Sequence, residues 1–79
     1  MRAKVEVFLK PGVLDVQGKA IEGALHGLGF GGVSGVRVGK TIRFDAPGDD
    51  PARIEAEVKA MCERLLANTV IEGYRVEVG

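Results

Sequence analysis

The chain has 79 residues, and its 11 basic and 11 acidic side chains cancel. Without a basic stripe, binding to a phosphate backbone has little electrostatic support, so we expect no nucleic-acid partner. No apolar run is long enough to cross a membrane, and the first residues lack the apolar core of a signal peptide. We therefore expect no membrane partner and a cytoplasmic location.

The small size predicts one domain, residues 1–79, that depends on a partner. Domains below roughly 80 residues usually need disulfides, a bound metal or another subunit, because their cores are thin. Cys62 is the single cysteine, which excludes an internal disulfide, and no ligand cluster predicts a metal site. Oligomerisation or complex formation is the expected source of additional stability.

The first part of the chain has the pattern of a strand followed by a helix. Residues 3–10 alternate, with Ala3, Val5, Val7 and Leu9 on one face. A proline and a glycine at residues 11–12 end this strand. Asp15 is a suitable N-cap for a helix that continues to about Leu28. The apolar stripe of that helix consists of Ala20, Ile21, Ala24, Leu25 and Leu28.

Residues 33–45 predict one long strand, bent or bulged at Gly39, rather than a hairpin. Val36, Val38, Ile42 and Phe44 have even numbers, whereas Arg37, Arg43 and Asp45 have odd numbers. A two-residue loop at 39–40 would mix both kinds on each face, because cross-strand partners share a face. The long strand would exceed the first one and leave an unpaired edge, which we expect a second copy of the chain to cover.

A second helix and a last strand complete the pattern. Asp49 or Asp50 caps the helix, and Pro51 occupies its first position. The apolar stripe consists of Ile54, Val58, Met61 and Leu65. Asn68 suits the left-handed residue that closes a helix, and a strand follows over residues 70–78. The order β-α-β-α-β predicts a two-layer α+β fold, with an antiparallel sheet, a long bent central strand, both helices on one face and ferredoxin-like similarity.

Motifs for catalysis are weak. Residues 27–32 match the glycine spacing of a dinucleotide-binding loop, but a helix precedes them and a strand follows, which is the reverse of that site. Cys62 is interpreted as a small core residue and His26, the only histidine, as a surface residue. The alternatives are a small enzyme that uses Cys62 or His26, and an effector-binding regulatory domain.

Three stretches of the sequence carry a family resemblance, and the match to which they belong runs in order over essentially the whole chain. They are residues 14–18 (Leu-Asp-Val-Gln-Gly), residues 36–40 (Val-Arg-Val-Gly-Lys) and residues 61–72 (Met-Cys-Glu-Arg-Leu-Leu-Ala-Asn-Thr-Val-Ile-Glu). The third stretch is the most specific. With these stretches the chain resembles the PurS family, the small subunits of phosphoribosylformylglycinamidine synthase.

The resemblance implies a role in a larger enzyme. A glutaminase subunit releases ammonia, and a large synthetase subunit uses ATP and Mg²⁺ to add it to phosphoribosylformylglycinamide. PurS, at least a homodimer, bridges these two subunits and carries no catalytic residue or cofactor. We expect its partner interface to include Arg37, Gly39, Lys40, Asn68 and Thr69, which belong to the family pattern and have no obvious core role. The alternative is that Asn68 only caps a helix and Gly39 only permits a bend.

Overall fold

A computed structural model describes residues 1–79 and contains one sheet and two α-helices. The elements in chain order are β1 (Arg2–Leu9), α1 (Val16–Gly27), β2 (Gly39–Asp45), α2 (Pro51–Met61), a π-helical turn (Cys62–Leu66) and β3 (Glu72–Val78). The sheet order is β2-β1-β3, and both pairings are antiparallel. The predicted α+β class and element order are confirmed.

The two faces of the sheet differ as the alternation predicts. Ala3, Val5 and Val7 of the central strand are buried on the face that α2 covers. The opposite face is charged, and its side chains pair with one another across the strands. Lys4 lies 3.1 Å from Glu77 at the closest N–O approach, and other exposed pairs continue this network. The hydrophobic core therefore lies between the sheet and α2.

The second helix is capped as expected, but its apolar stripe changes where the π-helical turn begins. Ile54 and Val58 are fully buried, and Cys62 continues their row inside the core. Met61 and Leu65, predicted for the same stripe, are 39% and 83% exposed. A π-helical turn has more residues per turn than an α-helix, so it shifts the buried row to other positions. The prediction for Leu65 is wrong for this reason. The prediction for Met61, which precedes the turn, is wrong because the buried row advances in four-residue steps through Ile54, Val58 and Cys62.

The end of the second helix also differs from the prediction. Only glycines have positive φ angles, so Asn68 is not a left-handed closing residue. The chain instead leaves the π-helical turn at Ala67, whose φ of −131° and ψ of 144° are extended. Ala67 is buried, which ties this exit to the core. Asp50 and Pro51 confirm the predicted start of α2, since the Asp50 carboxylate accepts from the Ala52 N–H at 3.2 Å.

Residues 33–45 do not form a hairpin, but only their second half is a strand in the sheet. Gly39–Asp45 pairs with β1 along its whole length. Residues 33–38 lie outside the sheet, because the ladder ends at the pair Phe8–Gly39 and β1 ends one residue later at Leu9. The prediction of one strand is confirmed for Gly39–Asp45 and is wrong for residues 33–38.

Helix α1 starts at its predicted cap but packs little against the rest of the chain. The Asp15 carboxylate accepts from the Gly18 N–H at 2.7 Å. The sheet packs closely with α2 and not with α1. Ile21 and Leu28 of the predicted apolar stripe are 40% and 74% exposed. The molecule is therefore elongated, with extents of 49, 24 and 14 Å. Neither helix has the length and apolar character that crossing a membrane requires.

Candidate interaction surface

Lys10 joins three separate loops at one end of the sheet. Its N–H donates to the Ile71 carbonyl at 2.8 Å, and its Nζ donates to the Thr69 carbonyl at 2.7 Å. Its own carbonyl accepts from the Val13 N–H and from Arg37 Nη2, both at 3.2 Å. We call the result the loop cluster, which consists of residues 10–14, 37–40 and 68–72. All five predicted interface residues lie within it.

Arg37 has a role inside the chain as well as an exposed position. Its Nη1 donates to the Val13 carbonyl at 2.9 Å, while Nη2 reaches the Lys10 carbonyl. The planar guanidinium can hold two carbonyls at fixed positions, which a lysine could not do in the same way. Arg37 therefore fixes the connection between β1 and α1 relative to the chain that enters β2.

Gly39 and Lys40 begin β2 on opposite faces of the sheet. A Cβ on Gly39 would lie 2.7 Å from the Val7 carbonyl oxygen, so this position needs a glycine for the two strands to approach. The structure thus supports a backbone reason for Gly39. Lys40 pairs with Val7, is exposed, and forms no ion pair within the chain. Its ammonium group is therefore available to a partner.

Asn68 organises the turn before β3. Its N–H donates to Glu72 Oε1 at 2.6 Å, and its Oδ1 accepts from the Val70 N–H at 3.2 Å. Its carbonyl accepts from the N–H groups of Ile71 and Glu72. Thr69 is half-buried, and its carbonyl is the one that Lys10 binds. Asn68 and Thr69 therefore fix the shape of this turn, and the side chain of Val70 beside them remains exposed.

Exposed apolar side chains that were not among the predicted interface residues belong to the loop cluster or lie close to it in sequence. Leu14 at 70% and Val70 at 82% belong to it, and Val16 at 70% and Leu65 at 83% are close to it in sequence. Large apolar groups concentrated at one end of a soluble domain indicate a binding surface. Val70 and Leu65 fall within the specific stretch 61–72, which was the available signal in the sequence.

A second uncovered surface is formed by α1 and the chain that follows it. We call residues 15–36 the arm. Its exposed apolar residues include Ile21, Leu28 and Phe30, the last at 58%. Carboxylates hold α1 to the chain that enters β2. The pKa of the Asp15 carboxyl is lowered by hydrogen bonds from the N–H of Val38, which has the larger effect, and from the N–H of Gly18. The pKa of the Glu22 carboxyl is lowered by a hydrogen bond from the Val36 N–H.

The candidate catalytic residues do not form a site. Cys62 is fully buried, and burial raises the pKa of its thiol, which is the opposite of an activated nucleophile. His26 is exposed, and its Nε2 lies 2.6 Å from the Val33 carbonyl oxygen. No group of three or more potential metal ligands is present. The depression beside Lys40 has about 270 Å³, near the lower limit of roughly 300 Å³ for ligand sites.

Comparison with known proteins identifies the family. The sequence model of PurS, described as phosphoribosylformylglycinamidine (FGAM) synthase, matches residues 2–79. The chain belongs to the PurS family. The PurS subunit of Bacillus subtilis is 48% identical over 77 residues, which are 98% of this chain and 90% of that protein. The PurS subunit of Methanocaldococcus jannaschii is 40% identical over 77 residues, which are 98% and 93% of the two chains.

Solved structures agree with this assignment. PurS of Bacillus subtilis superposes with a TM-score of 0.89 at 47% identity, covering 99% of this chain and 96% of that chain. A chain in the structure of PurLQS from Thermotoga maritima gives a TM-score of 0.87 at 30% identity, covering 96% and 93%. Members of the PurS family are subunits of FGAM synthase, a ligase of purine biosynthesis, and this chain is such a subunit.

Proposed function

We propose that this chain forms a homodimer that bridges the glutaminase and synthetase subunits of FGAM synthase and assists ammonia transfer between them. The observation that carries the proposal is the pair of uncovered apolar surfaces, the loop cluster and the arm, on a chain of the PurS family. One surface can serve the second copy and the other the larger subunits. The synthetase subunit uses ATP and Mg²⁺ in this scheme, which we place in the cytoplasm.

The chemistry explains why such an enzyme needs a subunit that only binds. Ammonia that escapes into neutral water is mostly protonated and loses the lone pair with which it attacks. The glutaminase and synthetase sites therefore have to keep a fixed relative position, with a sheltered connection between them. A small, rigid dimer with a binding surface on each copy can hold two large subunits in a fixed relative position.

The exposed area supports the homodimer. A compact chain of 8.4 kDa exposes roughly 4600 Å², whereas this chain exposes 5422 Å². The excess of roughly 800 Å² equals one partner's share of a standard protein interface. The radius of gyration is 15.9 Å, against roughly 12 Å for a compact chain of this length. The excess area follows from this elongated shape, which leaves apolar residues of the arm uncovered.

The test is glutamine-dependent synthetase activity, measured with both larger subunits reconstituted with and without this chain. We expect activity only when the chain is present. Lys40→Ala and Val70→Ser should weaken assembly about fivefold or more, as loss of a contributing contact does. Lys59→Ala is the matched control, because Lys59 is an exposed lysine of α2 that lies outside the loop cluster and the arm. Activity that is independent of the chain would refute the bridging role and favour the effector-binding alternative.

A further inference from the structure

Helix α1 carries a row of residues that faces the chain entering β2. This α1 row consists of Asp15, Gly18, Glu22 and His26. Spacings of three and four residues place them on one side of the helix, beside the apolar stripe. The row binds backbone groups of residues 33–38, so it acts on main chain rather than on side chains.

Two carboxylates of the row accept hydrogen bonds from alternate residues of that segment. Asp15 Oδ2 accepts from the Val38 N–H at 2.7 Å. Glu22 Oε1 accepts from the Val36 N–H at 3.1 Å. Acceptance from every second residue is what a neighbouring strand would provide, because the polar groups of an extended chain alternate in direction.

The other two members of the row complete the contact. Gly18 allows close approach, since a Cβ there would lie only 2.4 Å from the Val36 carbonyl oxygen. His26 Nε2 lies 2.6 Å from the Val33 carbonyl oxygen, where the ring N–H can donate. The row therefore contacts both N–H and carbonyl groups along the segment.

Within β2, the backbone polar groups of the even-numbered residues point toward β1, as the N–H groups of Val36 and Val38 point toward α1. Met1 and Ala46 exchange both backbone hydrogen bonds, at 2.7 and 2.8 Å. The ladder alternates, so the even-numbered residues of β2, down to Lys40, direct their polar groups to β1. Val38 and Val36 continue this even-numbered series. The α1 row thus takes over at the point where β1 ends.

The odd-numbered residues consequently present one continuous open edge. β2 is at the border of the sheet, and the backbone of Arg37 has no hydrogen-bond partner within the chain. The edge from Arg37 to Asp45 is nine residues long, or roughly 30 Å at 3.3 Å per residue. An open edge of this length pairs readily with another strand.

We propose that the α1 row is a positioning device that replaces a strand beyond Lys40 and so presents the edge from Arg37 to Asp45 to a second copy of the chain. This inference rests on the proposed homodimer. Antiparallel pairing of two identical edges about Thr41 obeys two-fold symmetry and brings Arg37 of one copy opposite Asp45 of the other. The charges at the two ends of the edge are therefore complementary between copies.

Glu22→Ala tests the inference without weakening the helix, because alanine is the best helix former. Sedimentation should give a dimer dissociation constant about tenfold higher than that of the wild type, as expected when one positioning hydrogen bond is lost. The Val36 amide should also exchange with solvent faster. Glu22→Gln keeps an acceptor oxygen and should restore both values. Glu57→Ala, an exposed acid on α2, is the control and should leave the dimer unchanged.

The outcomes separate the two proposals. A monomeric wild type at micromolar concentration would overturn the homodimer and this inference with it. A dimeric wild type whose affinity is unchanged in Glu22→Ala would overturn the inference alone and leave the homodimer standing. Weaker association in Glu22→Ala that Glu22→Gln does not restore would also overturn it, because the acceptor oxygen would then not be the cause.

Discussion

Gly18→Ala should separate α1 from the chain that enters β2. The added Cβ would lie 2.4 Å from the Val36 carbonyl oxygen and 2.9 Å from the Asp15 carboxyl carbon. An ordinary contact needs roughly 3.5 Å, so the backbone near Val36 has to move by about 1 Å. The bond from the Val36 N–H to Glu22 is already 3.1 Å long, and such a movement takes it beyond hydrogen-bonding distance.

Gly23→Ala supplies the reference for the magnitude. Gly23 lies in the same helix, and a Cβ there would have no other atom within 4 Å. Both substitutions gain about 1 kcal/mol of helix propensity, so their difference isolates the clash at Gly18. Overpacking typically costs about 1–3 kcal/mol. Each kcal/mol shifts Tm by roughly 4–8 °C in a domain of this size, so Gly18→Ala should melt at least about 4 °C below Gly23→Ala.

Thermal unfolding followed by circular dichroism measures this difference. All samples need one fixed chain concentration, because association changes the apparent stability by mass action. Equal Tm values for Gly18→Ala and Gly23→Ala would refute the contact between α1 and residues 33–38. An equal increase of Tm in both variants relative to the wild type would also refute this contact, since helix propensity alone would then explain the data.

Ile54→Ala should cost about 2–5 kcal/mol of unfolding free energy because Ile54 is fully buried, whereas Leu65→Ala should stay within about 0.5 kcal/mol because Leu65 is 83% exposed. Chemical denaturation of both variants checks this, and a large loss in isolated Leu65→Ala would contradict the shift of the buried row. Burial raises the pKa of the Cys62 thiol. The contribution of this protonated thiol to the free energy of unfolding is therefore complete below the unfolded-state pKa of about 8.5. It is lost as the pH rises through the higher folded-state pKa. Between pH 8 and pH 10 the free energy of unfolding should therefore fall less in Cys62→Ala than in the wild type. Equal decreases in the two proteins would contradict the effect of burial.

The strands and helix starts could be predicted because local signals determine them. Alternation identifies the buried face of β1, and Asp15 and Asp50 are caps whose side chains act within three residues. The π-helical turn could not be predicted in this way. It depends on the contacts that bring Cys62 and Ala67 into the core, and periodicity alone continues the α-helical stripe to Leu65.

The sequence predicted candidate interface residues that lie together in the structure, but not the contacts that each of them makes within the chain. The family pattern identified Arg37, Gly39 and Asn68, and all lie in the loop cluster. The structure assigns each of them backbone contacts: two carbonyls for Arg37, a close strand approach for Gly39, and a turn for Asn68. The central residue of the cluster is Lys10, which no motif marks, because its partners come from parts of the chain far apart in sequence.

The distribution of polar contacts indicates how a chain with a thin core can still present rigid surfaces. Buried apolar side chains are few and belong to the core between the sheet and α2, so they cannot order the arm or the loop cluster. Those regions are held by side chains that bind backbone groups: Lys10 and Arg37 at the loop cluster, Asp15 and Glu22 at the arm. Such contacts leave apolar side chains free to face outward. Apolar side chains that do not pack in the core are exposed and can contact a partner. The thin core and the large binding surface therefore have the same cause.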